Sequence, residues 1–451
     1  HFVAVYGRRR VGKTFLIREA FGYRFAFQHA GLSEGGMKEQ IYAFTSSLKD
    51  AGYEVKKQPK NWLEAFEALK DVIRLSSEKK KIIFIDELSW MDTQKSDLMV
   101  ALENFWNGFA SARKDIVLIV CASATSWMLS KVVHNKGGLY NRLTEQIHLR
   151  TFCLRECEAY VKAAGLALNR NQILQYYMIF GGVPYYWGFL KKGLSLSQNI
   201  DSILFEKDAP LRDEFKYLYA SVFKKPENYV KIIEALGIKK VGMTREEIIT
   251  ATKIPNSGDL TTKLEELESC GFIRKYNAFG MKKKNAIYQL MDCFTLFYFK
   301  FLKSEPTDEH FWTNQINTPA ANTWLGLAFE RVCMEHVDQI KFKLGISGVL
   351  TEVNSWYCKS DLDNGIFGSQ IDMLIARKDQ VINLCEMKYS QSEYTITEKV
   401  DRSIRNKISD LRVVSGTKYA IYPTLITTYG VVENSYSQEM QSVVTMDDLF
   451  A

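Results

Sequence analysis

No apolar run in this chain reaches the roughly 18 residues that a membrane-spanning helix needs. No signal peptide opens it, since the first residues are already the strand-like Phe2-Val3-Ala4-Val5-Tyr6. A chain that starts so abruptly is expected to have lost an N-terminal segment. The eight cysteines are scattered without a C-x-x-C pair, Cys153 and Cys157 being the closest. That argues against a zinc ribbon and a disulfide framework, and for reduced thiols in a cytoplasmic protein. The six histidines form no H-E-x-x-H, so neither structural nor catalytic zinc is expected.

What is there is ordinary soluble material, 46% hydrophobic and 25% charged over 451 residues. That length implies about three domains rather than one core. The net charge of +7 is mild but unevenly placed: between Ser221 and Lys303 there are 15 Lys/Arg against 9 Asp/Glu. Such a local excess suits a nucleic-acid footprint and equally a solvated face.

The most informative stretch is Gly7-Arg8-Arg9-Arg10-Val11-Gly12-Lys13-Thr14, which reads G-x-x-x-x-G-K-T. It lies between an apolar β-prone run and the helix start Phe15-Leu16-Ile17, the context a phosphate-binding loop requires. Gly7 and Gly12 let the backbone curl until successive N–H groups face one anion. The helix N-terminus adds its partial positive charge. Lys13 then reaches the β- and γ-phosphates, and the Thr14 hydroxyl holds Mg²⁺.

A second signature follows at Lys81-Ile82-Ile83-Phe84-Ile85-Asp86-Glu87. An apolar strand buried on both faces ends in two carboxylates. Asp86 is expected in the Mg²⁺ shell and Glu87 as general base toward the attacking water. A third strand, Ile116 to Cys121, ends at small polar residues, and Ser123 is the candidate γ-phosphate sensor. Arg142, in Gly138-Leu139-Tyr140-Asn141-Arg142, either reaches a phosphate with its forked guanidinium or only caps a helix. Strands alternating with helices imply a parallel sheet, with nucleotide outside its carboxyl ends. Upstream, Tyr23 to Phe27 alternates as a short strand, and Asn61 caps a helix striped by Trp62, Phe66, Leu69 and Ile73.

Arg155 to Phe223 reads as helices broken at Gly181-Gly182-Val183-Pro184. The phosphate loop, Ile85-Asp86-Glu87, the Ser123 strand tip, Gly138-x-Tyr140-x-Arg142 and Gly181-Gly182-Val183-Pro184 stand in one order. That order resembles the archaeal-type and bacterial ATPases of the STAND branch of the AAA+ class. The resemblance implies a helical lid with Pro184 near the nucleotide, and a slow ATP/ADP switch between domain arrangements. The family's short acidic segment before the first strand is absent here, so adenine contacts from that side stay unassigned.

Tyr229 to Leu290 carries three short helices and a hairpin. Thr244-Arg245-Glu246-Glu247 is a capping box, Leu260, Leu264 and Leu267 stripe the third helix, and Lys282-Lys283-Lys284 lie in the turn. This is a winged-helix pattern, which the family resemblance also implies after the lid. The last helix of such modules enters the major groove, yet here it carries Glu265, Glu266 and Glu268, which phosphates repel. Contact of the hairpin lysines with double-stranded DNA and a protein-facing or state-sensing role both stay open.

Beyond a polar stretch at Ser304-Glu305-Pro306-Thr307-Asp308, Trp324 to Cys333 reads as an apolar helix carrying Glu330. Val349 to Tyr357 alternates loosely as a strand. Asp372 then falls within an apolar strand, Gln370 to Ala376. Glu386 and Lys388 share one face of the next strand of the hairpin. Carboxylates on apolar strands need a partner, and Asp372 and Glu386 are hard oxygen ligands suited to Mg²⁺ or Mn²⁺. Lys388 would orient the attacking water and steady phosphate charge. D-x13-E-x-K, with Glu330 as the preceding helix acid and Lys399, Arg402, Arg405 and Lys407 on the following helix, resembles the PD-(D/E)xK phosphodiesterase class. The proline expected before Asp372 is replaced by Ile371.

The expected architecture is therefore α/β. A P-loop NTPase core with a parallel sheet spans 1–150, a helical lid 151–223, and a winged-helix domain 224–303. A linker at 304–320 leads to a restriction-endonuclease-like α/β domain over 321–451. The expected function is an ATP-binding, slowly hydrolysing switch that controls a metal-dependent DNA nuclease or DNA-binding module. The alternative is a regulatory ATPase scaffold, self-assembling or partner-binding, whose nuclease-like domain is inactive. A homo-oligomer fits either reading, and a membrane partner fits neither.

Overall fold

The computed structural model describes residues 1–220, 222–223, 225–277, 279–280 and 286–451. Lys282, Lys283 and Lys284 lie outside them. Two compact units emerge. The first comprises His1–Thr151 with Leu218–Pro226 and Thr261–Gly271, the second Phe152–Tyr217, Glu227–Leu260 and Phe272–Ala451. No helix among the described residues is long and apolar enough to cross a membrane.

The first unit is built on five strands: β1 (Phe2–Tyr6), β2 (Phe27–Ala30), β3 (Lys81–Asp86), β4 (Ile116–Ala122) and β5 (Glu145–His148). They run in the order β2-β3-β4-β1-β5, every pair parallel. The central strands are apolar on both faces because both faces are covered. On one side Phe2, Phe44, Trp62, Phe66 and Phe105 build the larger core. On the other, Val5, Ile17, Phe84, Ile119 and Cys121 pack together. Asn61 accepts the Glu64 N–H at 2.9 Å and starts the helix Trp62–Leu75 as expected.

The alternation from Tyr23 does not become a strand, and β2 begins only at Phe27. Gly22 and Tyr23 take left-handed φ of 54° and 59°. The Tyr23 N–H closes back on the Arg18 carbonyl at 2.9 Å. These residues satisfy the last carbonyls of the preceding helix, Lys13–Ala20, so they cannot join a sheet ladder.

In the second unit, helices Leu154–Ala163, Arg170–Phe180, Pro184–Trp187 and Leu196–Leu204 come first. Gly182 is required where it stands: a Cβ there would meet the Phe152 carbonyl oxygen at 1.8 Å. The stretch 304–320, expected as a linker, is tied down instead. It contains the helix Phe311–Gln315, whose Trp312 is buried. The buried Asp201 carboxylate accepts the Trp312 and Thr313 N–H groups at 2.7 and 3.1 Å, and the Thr313 hydroxyl at 2.5 Å. A distant carboxylate thus satisfies the orphan donors at that helix start.

The winged-helix pattern is present as helices Glu227–Ile238, Arg245–Thr252 and Gly258–Ser269 with strands β6 (Met243–Thr244), β7 (Ile273–Tyr276) and β8 (Ile287–Leu290), ordered β6-β8-β7. Thr244 and Glu247 close the capping box. The C-terminal sheet is mixed. It contains β9 (Thr351–Tyr357), β10 (Gln370–Arg377), β11 (Val381–Lys388), β12 (Ala420–Thr427) and β13 (Ser442–Thr445), in the order β13-β12-β11-β10-β9. Strand β10 is antiparallel to β9 and β11, whereas β11, β12 and β13 run parallel. The helix Pro319–Glu335 precedes this sheet, and Glu398–Ser415 connects β11 to β12.

Two consequences are measurable. His336 is buried; its Nε2 accepts the Leu154 N–H at 3.0 Å, so Nδ1 carries the proton and donates to the Val332 carbonyl at 2.8 Å. Burial pushes its pKa down to about 4, as it does for His29. The unfolded chain takes up these protons first, so stability held above pH 6.5 is lost as pH falls from there through 4. Each ring accounts for about 3 kcal/mol. Urea titrations across that window should show this slope, and H336Q should remove its own share. At the turn after β1, Gly7 has φ 147°, and a Cβ there would lie 2.1 Å from the Leu149 carbonyl oxygen. G7A should cost about 1–3 kcal/mol by the same titration at pH 7.

Candidate functional site

The phosphate-loop signature sits where the parallel sheet delivers it, at the carboxyl end of β1, and the loop feeds the helix Lys13–Ala20. Gly12 precedes that helix at φ 89°, a left-handed value open to glycine at little cost. Arg8 is buried; Arg9 and Arg10 are half-buried, Arg10 at φ 71°. Val11 is buried beneath the loop.

Lys13 is 5% exposed, so its ammonium must be fully bonded. It donates to the Gly7 and Arg8 carbonyls at 2.8 and 2.9 Å and to Ser123 Oγ at 3.0 Å. All three donors of the ammonium are thereby accounted for. Ser123 passes the contact on. Its hydroxyl donates to Glu87 Oε1 at 2.5 Å, and its N–H to Glu87 Oε2 at 3.1 Å. Thr14 Oγ1 donates to Asp86 Oδ2 at 2.5 Å, while Asp86 Oδ1 accepts the Glu87 N–H at 2.9 Å. Glu87 itself stands at φ 48°, a left-handed value unusual for a residue with a side chain. Burial beside Asp86 raises the Cys121 thiol well above its ordinary pKa, so it is no nucleophile here.

Lys13, Thr14, Asp86, Glu87 and Ser123 therefore form one bonded cluster from three strand ends. A hydroxyl against a carboxylate is a hard oxygen pair, and it fits Mg²⁺. Arg142 does not join the cluster. It lies in the turn before β5 with an exposed side chain. Pro184 starts a short helix in the second unit, after the Gly181-Gly182 turn. Glu266, grouped with Glu265 and Glu268 from the sequence as a phosphate-repelling face, is half-buried and accepts the Ser126 hydroxyl at 3.0 Å within the first unit.

The second set of candidates converges in the C-terminal sheet. The β10–β11 register pairs Met373 with Cys385 and runs on toward Asp372 and Glu386. Glu386 is bonded by Lys388 at 2.8 Å and by Lys407, from the following helix, at 2.6 Å. Burial would raise its pKa, but the two ammonium groups outweigh it and hold the carboxyl low. Glu330 is mostly buried, and burial with the Asp372 charge nearby raises its pKa. Its ionic partner is Lys240, at 3.2 Å. Asp372 accepts from Gln370 Nε2 at 2.7 Å.

Among the described residues, no three His, Cys, Asp or Glu side chains stand close enough to hold a metal ion. Glu330, Asp372 and Glu386 do not fit Mg²⁺ or Mn²⁺ in this arrangement, because lysines take up Glu330 and Glu386 and the Gln370 amide bonds Asp372. The sequence marks Lys407 only as part of a basic helix, and its motifs do not point to Lys240, Arg274 or Arg331. Arg331 carried a signal: a guanidinium in an apolar helix, beside Glu330, needs a buried counter-charge.

No family model matches the chain. It is similar to the uncharacterised protein MJECL04 of Methanocaldococcus jannaschii, 23% identical over 411 residues, which cover 90% of this chain and 87% of that one. Among solved structures it is similar to the Walker-type ATPase PABY2304 of Pyrococcus abyssi, with a TM-score of 0.44 and 16% identity over 65% of this chain and 89% of that one. It is also similar to the ORC2 protein of Aeropyrum pernix, with a TM-score of 0.39 and 13% identity over 74% of this chain and 89% of that one. These likenesses are too distant to carry a role to this chain.

Proposed function

We propose that the protein is an ATP-binding, slowly hydrolysing molecular switch of the STAND-like AAA+ kind. In this reading it controls a C-terminal module directed at DNA. The observation that carries the reading is the single bonded cluster Lys13–Ser123–Glu87 beside Thr14–Asp86. A triphosphate laid on the loop N–H groups would draw the Lys13 ammonium to its β- and γ-oxygens. Thr14 and Asp86 are the residues that would hold Mg²⁺, which supplies charge neutralisation on the phosphates. Lys13 shares Ser123 with Glu87, so a shift of the lysine alters what holds the carboxylate. Glu87, once free of the Ser123 hydroxyl, serves as base toward water. The Ser126–Glu266 contact supports state sensing by the third winged helix rather than insertion of that helix into a groove.

The C-terminal module is read as a restriction-endonuclease-like domain, supported by its helix acid, the antiparallel β9-β10-β11 strands and the parallel return of β12. Glu330, Asp372, Glu386 and Lys388 are its candidate cleavage residues. A second reading is favoured by one observation: Glu386 is already ion-paired with two lysines. On that reading the module binds DNA or protein without cutting, and the chain is a regulatory ATPase scaffold.

Calorimetry and turnover assays test the switch. K13A should weaken MgATP binding about 10- to 100-fold, the loss of one to two charge-assisted bonds. E87Q should keep binding and lower hydrolysis at least about 100-fold. Unchanged hydrolysis in both variants would sink the proposal. For the module, a plasmid assay with Mg²⁺ or Mn²⁺ separates the two readings: cleavage by wild type and none by D372A/K388A supports cutting. Equal residual cleavage in the two would leave only the scaffold reading.

A further inference from the structure

We propose that Glu266, on the third helix of the winged-helix pattern, is a positioning residue for ATP hydrolysis. It acts through Ser126, by holding the turn that presents Ser123 to Glu87. The inference rests on the reading above, in which Ser123 and Glu87 belong to the hydrolytic site.

The turn is short and held at several points. β4 ends at Ala122, and the helix Thr125–Met128 begins three residues later. Ser123 lies between them, buried, with its hydroxyl and N–H on Glu87. Four residues on, Trp127 Nε1 donates to Asp92 Oδ2 at 2.9 Å. Glu87 and Asp92 flank one helix, Leu88–Met91. The turn is thus joined twice to the segment that carries the candidate base. Between those two contacts the Ser126 hydroxyl donates to Glu266 Oε1 at 3.0 Å. The buried Cys270 lies beside Thr125, so the end of the third helix meets the turn at two successive residues. All these residues belong to the first unit.

Glu266 is itself firmly placed. Its carbonyl accepts the Cys270 N–H and the Ser269 hydroxyl, each at 3.0 Å. Leu264 and Leu267, on either side of it, are buried. Glu265 and Glu268 are exposed, whereas Glu266 is half-buried on the inward side. Of the three acids on this helix, it alone meets the turn through a charge-assisted bond. Phosphate binding draws on the loop, Lys13 and Thr14, which precede and open the first helix. The Ser126 bond instead fixes the β4 side, where Ser123 meets Glu87. Its loss therefore bears on the chemical step more than on nucleotide affinity.

The test is steady-state ATP hydrolysis and MgATP calorimetry on the full chain, comparing wild type, S126A, E266A, S126A/E266A and E266Q, with E87Q as control. S126A and E266A should each lower kcat about tenfold, the loss of one hydrogen bond to a charged acceptor. S126A should leave MgATP affinity unchanged, and the double variant should be no slower than either single one. E266Q, whose amide oxygen still accepts the hydroxyl, should recover most of kcat. If E266A proves unfolded in thermal denaturation, S126A and E266Q carry the comparison. An unchanged or raised kcat in S126A, with E87Q inactive, would overturn the positioning role alone. So would equal losses of affinity and kcat in S126A, or additive losses in the double variant. Hydrolysis by E87Q at the wild-type rate would instead sink the reading on which the inference rests.

Discussion

A lysine ammonium buried beneath a glycine turn is the constraint on which the first unit depends. The three ammonium donors of Lys13 need acceptors at that depth, and the turn at Gly7 and Arg8 supplies two of them. The turn can do so only because Gly7 brings its backbone against the Leu149 carbonyl, closer than any Cβ allows. The third acceptor, Ser123, follows directly after β4, next to β1 in the sheet. Strand order, the glycine and the small residue at the β4 tip are therefore one requirement seen from three sides.

The same electrostatic rule organises the C-terminal module, with the opposite sign of problem. There carboxylates lie on apolar strands, and the chain neutralises them with its own cations. Glu386 is served from its strand and from the next helix, while Glu330 is served from the winged-helix segment. Arg331, buried and bonded to the Lys240 carbonyl, is held by the nearby Glu330 and Asp372 charges against the cost of burial.

Local patterns were legible where one segment alone decides the outcome. The Asn61 cap and the Thr244 capping box follow from side chains that bond their own helix starts. The β10–β11 hairpin followed from alternation and a short turn. Tyr23 to Phe27 misled because alternation does not reveal that Gly22 and Tyr23 are spent on closing a helix. The stretch 304–320 looked like a linker from its polarity. Its tether, Asp201, lies 111 residues from Trp312, beyond any local pattern.

By itself the sequence determined which residues can bind phosphate and which can bear charge. Glycines, a lysine and strand-end carboxylates announce their chemistry through spacing along one chain segment. The tertiary structure alone decided which charges meet. Arg142 was left in solvent, Glu266 was drawn onto Ser126, and Lys240 was carried 90 residues to Glu330. The reason is physical: a buried charge selects its partner by distance in space, and that distance exists only after the elements have packed.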